Sequence, residues 1–126
     1  EELNFNSPES IARYYMEDLR HEKQEHMKLL LLNTKTKLIG ETIISKGTVN
    51  AAIISPRELF IEALQKGAVS IILLHNHPSG DPTPSKEDII ITKQIQEAGE
   101  LLGVNLLDHI IIGNNCYVSM REKKLF

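Results

Sequence analysis

The sequence predicts an α/β fold, a single domain with a mixed β-sheet flanked by helices, from three observations. Apolar runs of strand length alternate with segments that have helical spacing and helix-start signals. The last two apolar runs are joined by a short turn, Gly113-Asn114-Asn115, which is typical of an antiparallel hairpin. At 126 residues, of which 41% are hydrophobic and 25% charged, the chain has the size and composition of one globular domain.

The first half of the chain predicts two helices with three strands between them. Ser7-Pro8 begins a helix that extends to about residue 22, because Ser is a preferred N-cap and Pro fits the first helical position. Three apolar runs follow, at 27–32, 38–45 and 49–54. The first two flank a polar turn and predict a hairpin. Ser55-Pro56-Arg57-Glu58 is a capping box, so a second helix begins there and ends at Gly67.

The second half predicts the elements that surround a polar loop. They are a buried strand, a long helix and two closing strands, at 69–74, 85–102, 105–112 and 116–119. Residues 1–7 are interpreted as a linker remnant and residues 8–126 as the domain. Because the first residue is Glu1 and not Met, we expect a fragment of a longer protein.

Charge and cysteine content limit the class of protein. The net charge of −3 offers no overall positive field for a nucleic-acid backbone, which argues against direct DNA binding by this segment. A single cysteine, Cys116, excludes an internal disulfide and the paired-cysteine zinc motifs. No apolar run approaches the roughly 18 residues of a membrane span, so the expected location is the cytoplasm, away from membranes. Nothing in the sequence indicates the oligomeric state.

Two histidines at the end of the buried strand are the strongest candidates for a functional site. His75 and His77 are two positions apart on an extended backbone, so their side chains point to the same side. Asp88 follows thirteen positions after His75, in the first turn of the predicted helix, and could supply a third ligand. Two imidazole nitrogens and one carboxylate oxygen leave a fourth position for water, which is the pattern of catalytic zinc sites.

Simpler interpretations exist for some of the residues in this region. Ser85 and Asp88 have the spacing of a helix-capping pair, and on their own they favour capping. His109 lies in a predicted core strand, where a structural histidine and a wall of the site are equally expected. The joint spacing favours a metal site: His-x-His, seven residues, Ser, two residues, Asp.

That spacing resembles the JAMM motif, also called MPN-plus, whose pattern is His-x-His-x7-Ser-x2-Asp with a Glu upstream. His75, His77, Ser85 and Asp88 match it position for position. The residues that fill it, His-Asn-His-Pro-Ser-Gly-Asp-Pro-Thr-Pro-Ser, are similar to the bacterial RadC family within that group. The resemblance covers about residues 8–120 and implies a JAMM/MPN (cytidine-deaminase-like) fold.

The resemblance also implies a function and a role for each site residue. It implies a zinc-dependent hydrolase of amide bonds, peptide or isopeptide, that acts on a peptide or protein substrate of unknown identity. His75, His77 and Asp88 would bind Zn2+ together with water. Glu41 would be the upstream Glu and serve as the general base, and Ser85 would donate a hydrogen bond to the developing oxyanion.

Two alternatives come from other classes of protein. The RadC name is associated with DNA repair, so the domain is alternatively an accessory module with a weak or vestigial metal site. Its partner would then be DNA or a DNA-repair protein, reached through other domains. Deamination of a nucleotide or base would suit the same fold, but the Cys-rich ligand set of such enzymes is missing from the sequence.

Overall fold

The structure is a computed structural model, and it describes residues 5–47 and 54–126. Its elements follow in the order α1 (Pro8–Arg20), β1 (His26–Leu32), β2 (Leu38–Lys46), α2 (Pro56–Gln65), β3 (Ser70–Asn76), α3 (Lys86–Leu102), β4 (Asn105–Ile112) and β5 (Tyr117–Ser119). The strands form one mixed sheet flanked by helices, which confirms the predicted fold class. Of the predicted strand at 49–54, residues 49–53 lie outside the described part of the chain, and Ile54 is buried without strand structure.

The sheet has β3 at its centre. The strand order is β2-β1-β3-β4-β5, with β3 and β4 parallel and the other neighbouring pairs antiparallel. Every residue of β3 after Ser70 is buried, because the strand has a neighbour on each side and helices cover its faces. The carboxyl end of such a strand is a rigid place at which α/β proteins commonly build ligand sites.

Side chains of β3 alternate between two hydrophobic layers. Leu73 packs in the cluster that includes α2 and α3, whereas Leu74 packs in the cluster that includes α1. Since successive side chains of a strand point to opposite faces, His75 continues the first series and Asn76 the second. The pairing of His75 with Met27, a residue of the α2–α3 layer, agrees with that assignment.

The packed part of the domain begins before α1. Residues 1–4 of the predicted linker 1–7 lie outside the described residues, but Phe5 is only 5% exposed and packs in the α1 layer. Ser7 accepts a hydrogen bond from the Ser10 amide at 3.3 Å and caps α1. The domain boundary at residue 8 stays a prediction for the longer protein, with Phe5 already in the core.

Gly99 lets α3 pack closely against the segment that leads into β4. A Cβ atom at residue 99 would overlap the carbonyl oxygen of Val104. We expect Gly99→Ala to lower the free energy of unfolding by roughly 1–3 kcal/mol, the usual cost of overpacking. Gly40→Ala is the control, since its Cβ would lie 3.5 Å from Leu31 Cδ1, an ordinary contact. Urea unfolding measures both variants, and equal losses would contradict the packing argument.

Candidate metal centre

The end of β3 presents two imidazoles to one place. His75 is fully buried. The backbone amide of His77 donates to the carbonyl of Ile112 at 2.9 Å, which holds the chain beside β4 just beyond the last residue of β3. The two imidazole rings meet edge to face, with their centroids 4.8 Å apart. This arrangement agrees with the prediction that both side chains serve one site.

Asp88, in the first turn of α3, completes the predicted ligand set. Its Oδ2 is 3.1 Å from His77 Nε2, and its Oδ1 is 3.7 Å from His75 Nε2. The Asp88 side chain is only 2% exposed. The structure therefore brings the three predicted metal ligands together, and their role as ligands stays a prediction.

Ser85 is the N-cap of α3. Its Oγ accepts a hydrogen bond from the amide of Asp88 at 3.1 Å, and Asp88 Oδ2 accepts one from the amide of Ser85 at 2.8 Å. Both halves of a capping box are thus present, and the cap also orients the carboxyl group that faces the histidines. Ser85 accepts in this bond, so its hydroxyl proton is still available for donation. The predicted donation of that proton to an oxyanion stays a prediction.

Glu41 does not reach this centre, and its prediction as the general base is corrected. In β2 it pairs with Leu30, which belongs to the α1 layer. Its Oε2 accepts a hydrogen bond from the hydroxyl of Tyr15 at 2.6 Å, and its Oε1 lies 3.9 Å from Lys28 Nζ. His75 projects from the opposite face of the sheet, so the alternation of side chains separates Glu41 from the histidines.

Glu25, rather than Glu41, lies beside His75. Its Oε1 is 3.2 Å from His75 Nε2. Glu25, His75 and His77 each offer one possible ligand atom, and these atoms lie within 4.8 Å of one another. Glu25 directly precedes β1, and the pairing of Met27 with His75 brings this end of β1 to the site. Sequence reasoning missed Glu25 because only the pairing of β1 with β3 reveals its proximity.

A chain of buried hydrogen bonds supports His75 from behind. His75 Nδ1 is 3.1 Å from His109 Nε2, His109 Nδ1 is 2.6 Å from Thr92 Oγ1, and Thr92 donates to the Asp88 carbonyl at 2.6 Å. Thr92 has one hydroxyl proton and gives it to that carbonyl, so His109 Nδ1 must donate to Thr92. Burial lowers the pKa of His109, and the neighbouring His75 lowers it further, so His109 is neutral.

The direction of this chain determines the role of His75 Nδ1. A neutral His109 that donates through Nδ1 accepts through Nε2, so His75 donates through its own Nδ1. His75 Nε2 is then the ring nitrogen that faces Glu25 and Asp88. Metal-binding histidines are commonly oriented in this way, with the other ring nitrogen bonded to a protein group. His109 is therefore a fully buried histidine with both ring nitrogens hydrogen-bonded, the structural role of the two that the sequence left open, and it supports His75 from behind.

The charges of the site follow from these contacts. The hydrogen bond with Asp88 raises the pKa of His77 above its ordinary value, against the opposing effect of burial. Burial on its own would raise the pKa of Asp88, but its hydrogen bonds with His77 and with the Ser85 amide hold that pKa well below its usual range. In the metal-free protein, Asp88 is therefore a carboxylate that pairs with the His77 imidazolium at mildly acidic pH.

Beside the histidines, a cleft of about 440 Å3 opens to solvent. It is lined by Lys23, Gln24, Glu25, Gly47, His77, Pro78 and Ser79. Two imidazoles with carboxyl groups beside them are a donor set that suits a divalent ion such as Zn2+. The convergence of these groups next to an open cleft therefore fits a bound metal ion.

The fold and this convergence define a class of protein: a small α/β domain with a candidate divalent-metal centre at the carboxyl end of its central strand. The sequence profile of the RadC-like JAB domain matches residues 5–125. The chain belongs to that family, which confirms the resemblance seen in the motif.

Curated relatives match nearly the whole of this chain. A UPF0758 protein of Clostridium botulinum is 55% identical over 124 residues, which are 97% of this chain and 54% of the relative. A UPF0758 protein of Desulforamulus reducens is 52% identical over 118 residues, 94% of this chain and 52% of the relative. The chain thus spans about half the length of the curated relatives it matches. In the described part of the chain, no helix has the length and apolar character needed to cross a membrane.

The His77–Asp88 pair predicts a pH-dependent stability of the metal-free protein. Because folding raises the pKa of His77, its contribution is complete below the unfolded-state value of about 6.5 and is lost as the pH rises through the folded-state pKa. We expect His77→Gln to destabilise the protein more at about pH 5.5 than at about pH 8.5. Urea unfolding with a chelator present measures this difference, and a pH-independent loss would contradict the pairing.

Proposed function

We propose that this domain is a zinc-dependent hydrolase of amide bonds, in a peptide or an isopeptide linkage. The observation that carries the proposal is the meeting of Glu25, His75 and His77 at one point, with the carboxyl group of Asp88 beside them. Membership of the RadC-like JAB family supports it. The substrate is a peptide or protein segment that enters the cleft next to His77.

His75, His77 and Asp88 are proposed as the zinc ligands. Each has a second contact that fixes its orientation. His75 contacts the His109 ring, His77 contacts the Asp81 carbonyl, and Asp88 accepts a hydrogen bond from the Ser85 amide. Ligands oriented in this way need little rearrangement to bind an ion. When bound, zinc lowers the pKa of water to about 7 and polarises a carbonyl group.

Glu25 is proposed as the general base in place of Glu41. Its side chain is 25% exposed and lines the cleft, so it is open to both solvent and substrate. It accepts a proton from the attacking water and passes it to the leaving amine. Asp88 is 2% exposed and is held by the helix cap, which suits a ligand better than a proton carrier.

The N-terminus of α3 is proposed as the stabiliser of developing negative charge. Ser85 is exposed at the first turn of the helix and retains its hydroxyl proton for donation. The positive end of the helix dipole lies at the same place. Both features favour an oxyanion that forms on the carbonyl under attack.

The partners and the location of the longer protein are also proposed. The relatives are about twice as long as this chain, so a DNA or DNA-repair partner would be bound through their other half. The net charge of −3 disfavours a nucleic-acid backbone as a partner of this domain itself. A cytoplasmic location is proposed because this domain, with its single cysteine, lacks the internal disulfide framework of small secreted domains.

Zinc binding is predicted to depend on the histidines of the centre. Calorimetric titration with Zn2+ is expected to show about one site per chain in the wild type and a loss of that site in His77→Ala. His21→Ala is the matched control, because the His21 side chain is 65% exposed at the end of α1. Equal zinc binding by the wild type and His77→Ala would contradict the ligand assignment.

The two glutamates are predicted to differ in their effect on catalysis. Glu25→Gln is expected to lower kcat roughly 100- to 10,000-fold while zinc stays bound, because an amide cannot accept the proton. Glu41→Gln is expected to remain near wild type, since its carboxyl group bonds to Tyr15 on the other face of the sheet. Cleavage of a library of peptide and isopeptide substrates measures both, and the reverse pattern would overturn the assignment.

A further inference from the structure

Asn76 stands between the two histidines in sequence but points away from them. Its side chain is 1% exposed, and strand alternation places it on the α1 face of the sheet. Its Oδ1 accepts a hydrogen bond from the backbone amide of His26 at 2.7 Å, and its Nδ2 donates to the carbonyl of Gln24 at 3.0 Å. These two backbone groups belong to the residues on either side of Glu25.

The Asn76 side chain continues the strand pairing beyond the backbone ladder. The register of β1 with β3 reaches Met27 and His75. One step further, the amide of Asn76 offers one acceptor and one donor, as a backbone peptide would. From the side of β2, the amide of Gly47 donates to the carbonyl of Glu25 at 2.8 Å. The peptide segment that carries Glu25 is therefore held from both neighbouring strands.

We propose that Asn76 is a positioning residue that places the Glu25 carboxylate against His75. The inference rests on the proposed function, in which Glu25 is the general base. With the segment 24–26 held by Asn76, Glu25 Oε1 lies 3.2 Å from His75 Nε2. A general base must be within hydrogen-bond reach of the proton that it accepts. A misplacement of about 1 Å can lower the reaction rate roughly 100-fold.

The role requires a primary amide. A carboxylate at this position would still accept from the His26 amide, but it would face the Gln24 carbonyl with a second acceptor. Asn76→Asp therefore keeps the side-chain volume and one of the two bonds, whereas Asn76→Ala loses both. Both variants lose the bond to the Gln24 carbonyl, and Asn76→Asp also places a carboxylate against it.

Asn33 provides a matched control at the other end of β1. Its Oδ1 accepts hydrogen bonds from the amides of Lys35 at 2.9 Å and Lys37 at 3.0 Å. Like Asn76, it uses its side-chain amide to hold two backbone groups next to the same strand. Asn33→Ala thus reports the general cost of removing such a side chain without touching the segment of Glu25.

The first arm of the test uses the metal-free protein. In the wild type, NMR is expected to show a nuclear Overhauser contact between the Glu25 side chain and the His75 ring. That contact should weaken or vanish in both Asn76 variants and persist in Asn33→Ala. An unchanged contact in the Asn76 variants would overturn the inference. If Asn76→Ala does not fold, Asn76→Asp decides, because it preserves the volume and the bond to His26.

The second arm uses the zinc-loaded protein and a cleavable peptide amide. Asn76→Asp is expected to lower kcat roughly 10- to 100-fold, with KM and zinc affinity close to wild type. In a Glu25→Gln background the same substitution should add little, because both changes disable one group. Equal losses in both backgrounds would overturn the inference in favour of a purely structural role. If the wild type cleaves no amide, the proposed function fails, and the NMR contact still decides the role of Asn76.

Discussion

The whole centre depends on the position of β3 between β1 and β4. His75 is paired with Met27 of β1 and with β4 on its other side. This pairing fixes the position of the His75 ring and the face of the sheet from which it projects. Alternation along the same strand sends Asn76 to the opposite face and returns His77 to the first. One strand end thereby supplies both imidazoles of the centre and the amide that holds the segment of Glu25.

Buried hydrogen bonds then tie the helix, the strands and the centre into a closed circuit. The carbonyl of Asp88 is linked through Thr92 and His109 to the back of His75, and the front of His75 faces the Asp88 carboxyl group. Buried polar groups are costly unless they are paired, so such a circuit favours a single arrangement of its members. The helix cap at Ser85 anchors the same carboxylate from the solvent side.

Local sequence information was sufficient to predict that the histidines and Asp88 lie together, but not to find the glutamate beside them. The strand, the loop and the helix start lie in one continuous stretch. The spacing of His75, His77 and Asp88 is therefore enough to predict that they lie close together. Which glutamate lies beside the histidines depends on which strand pairs with β3 and on the face of the sheet from which the glutamate side chain projects. Both are set by contacts between residues that are far apart in sequence. Glu41 lies one strand further out and on the α1 face, whereas Glu25 lies at the start of the neighbouring strand.

Diffraction data recorded at the zinc absorption edge, from crystals of the zinc-loaded protein, test the central claim most directly. The account predicts one strong anomalous peak bordered by His75, His77 and Asp88, with the Glu25 carboxylate beside it and Glu41 on the far face of the sheet. Absence of such a peak, or a peak ligated by Glu41, would contradict the account.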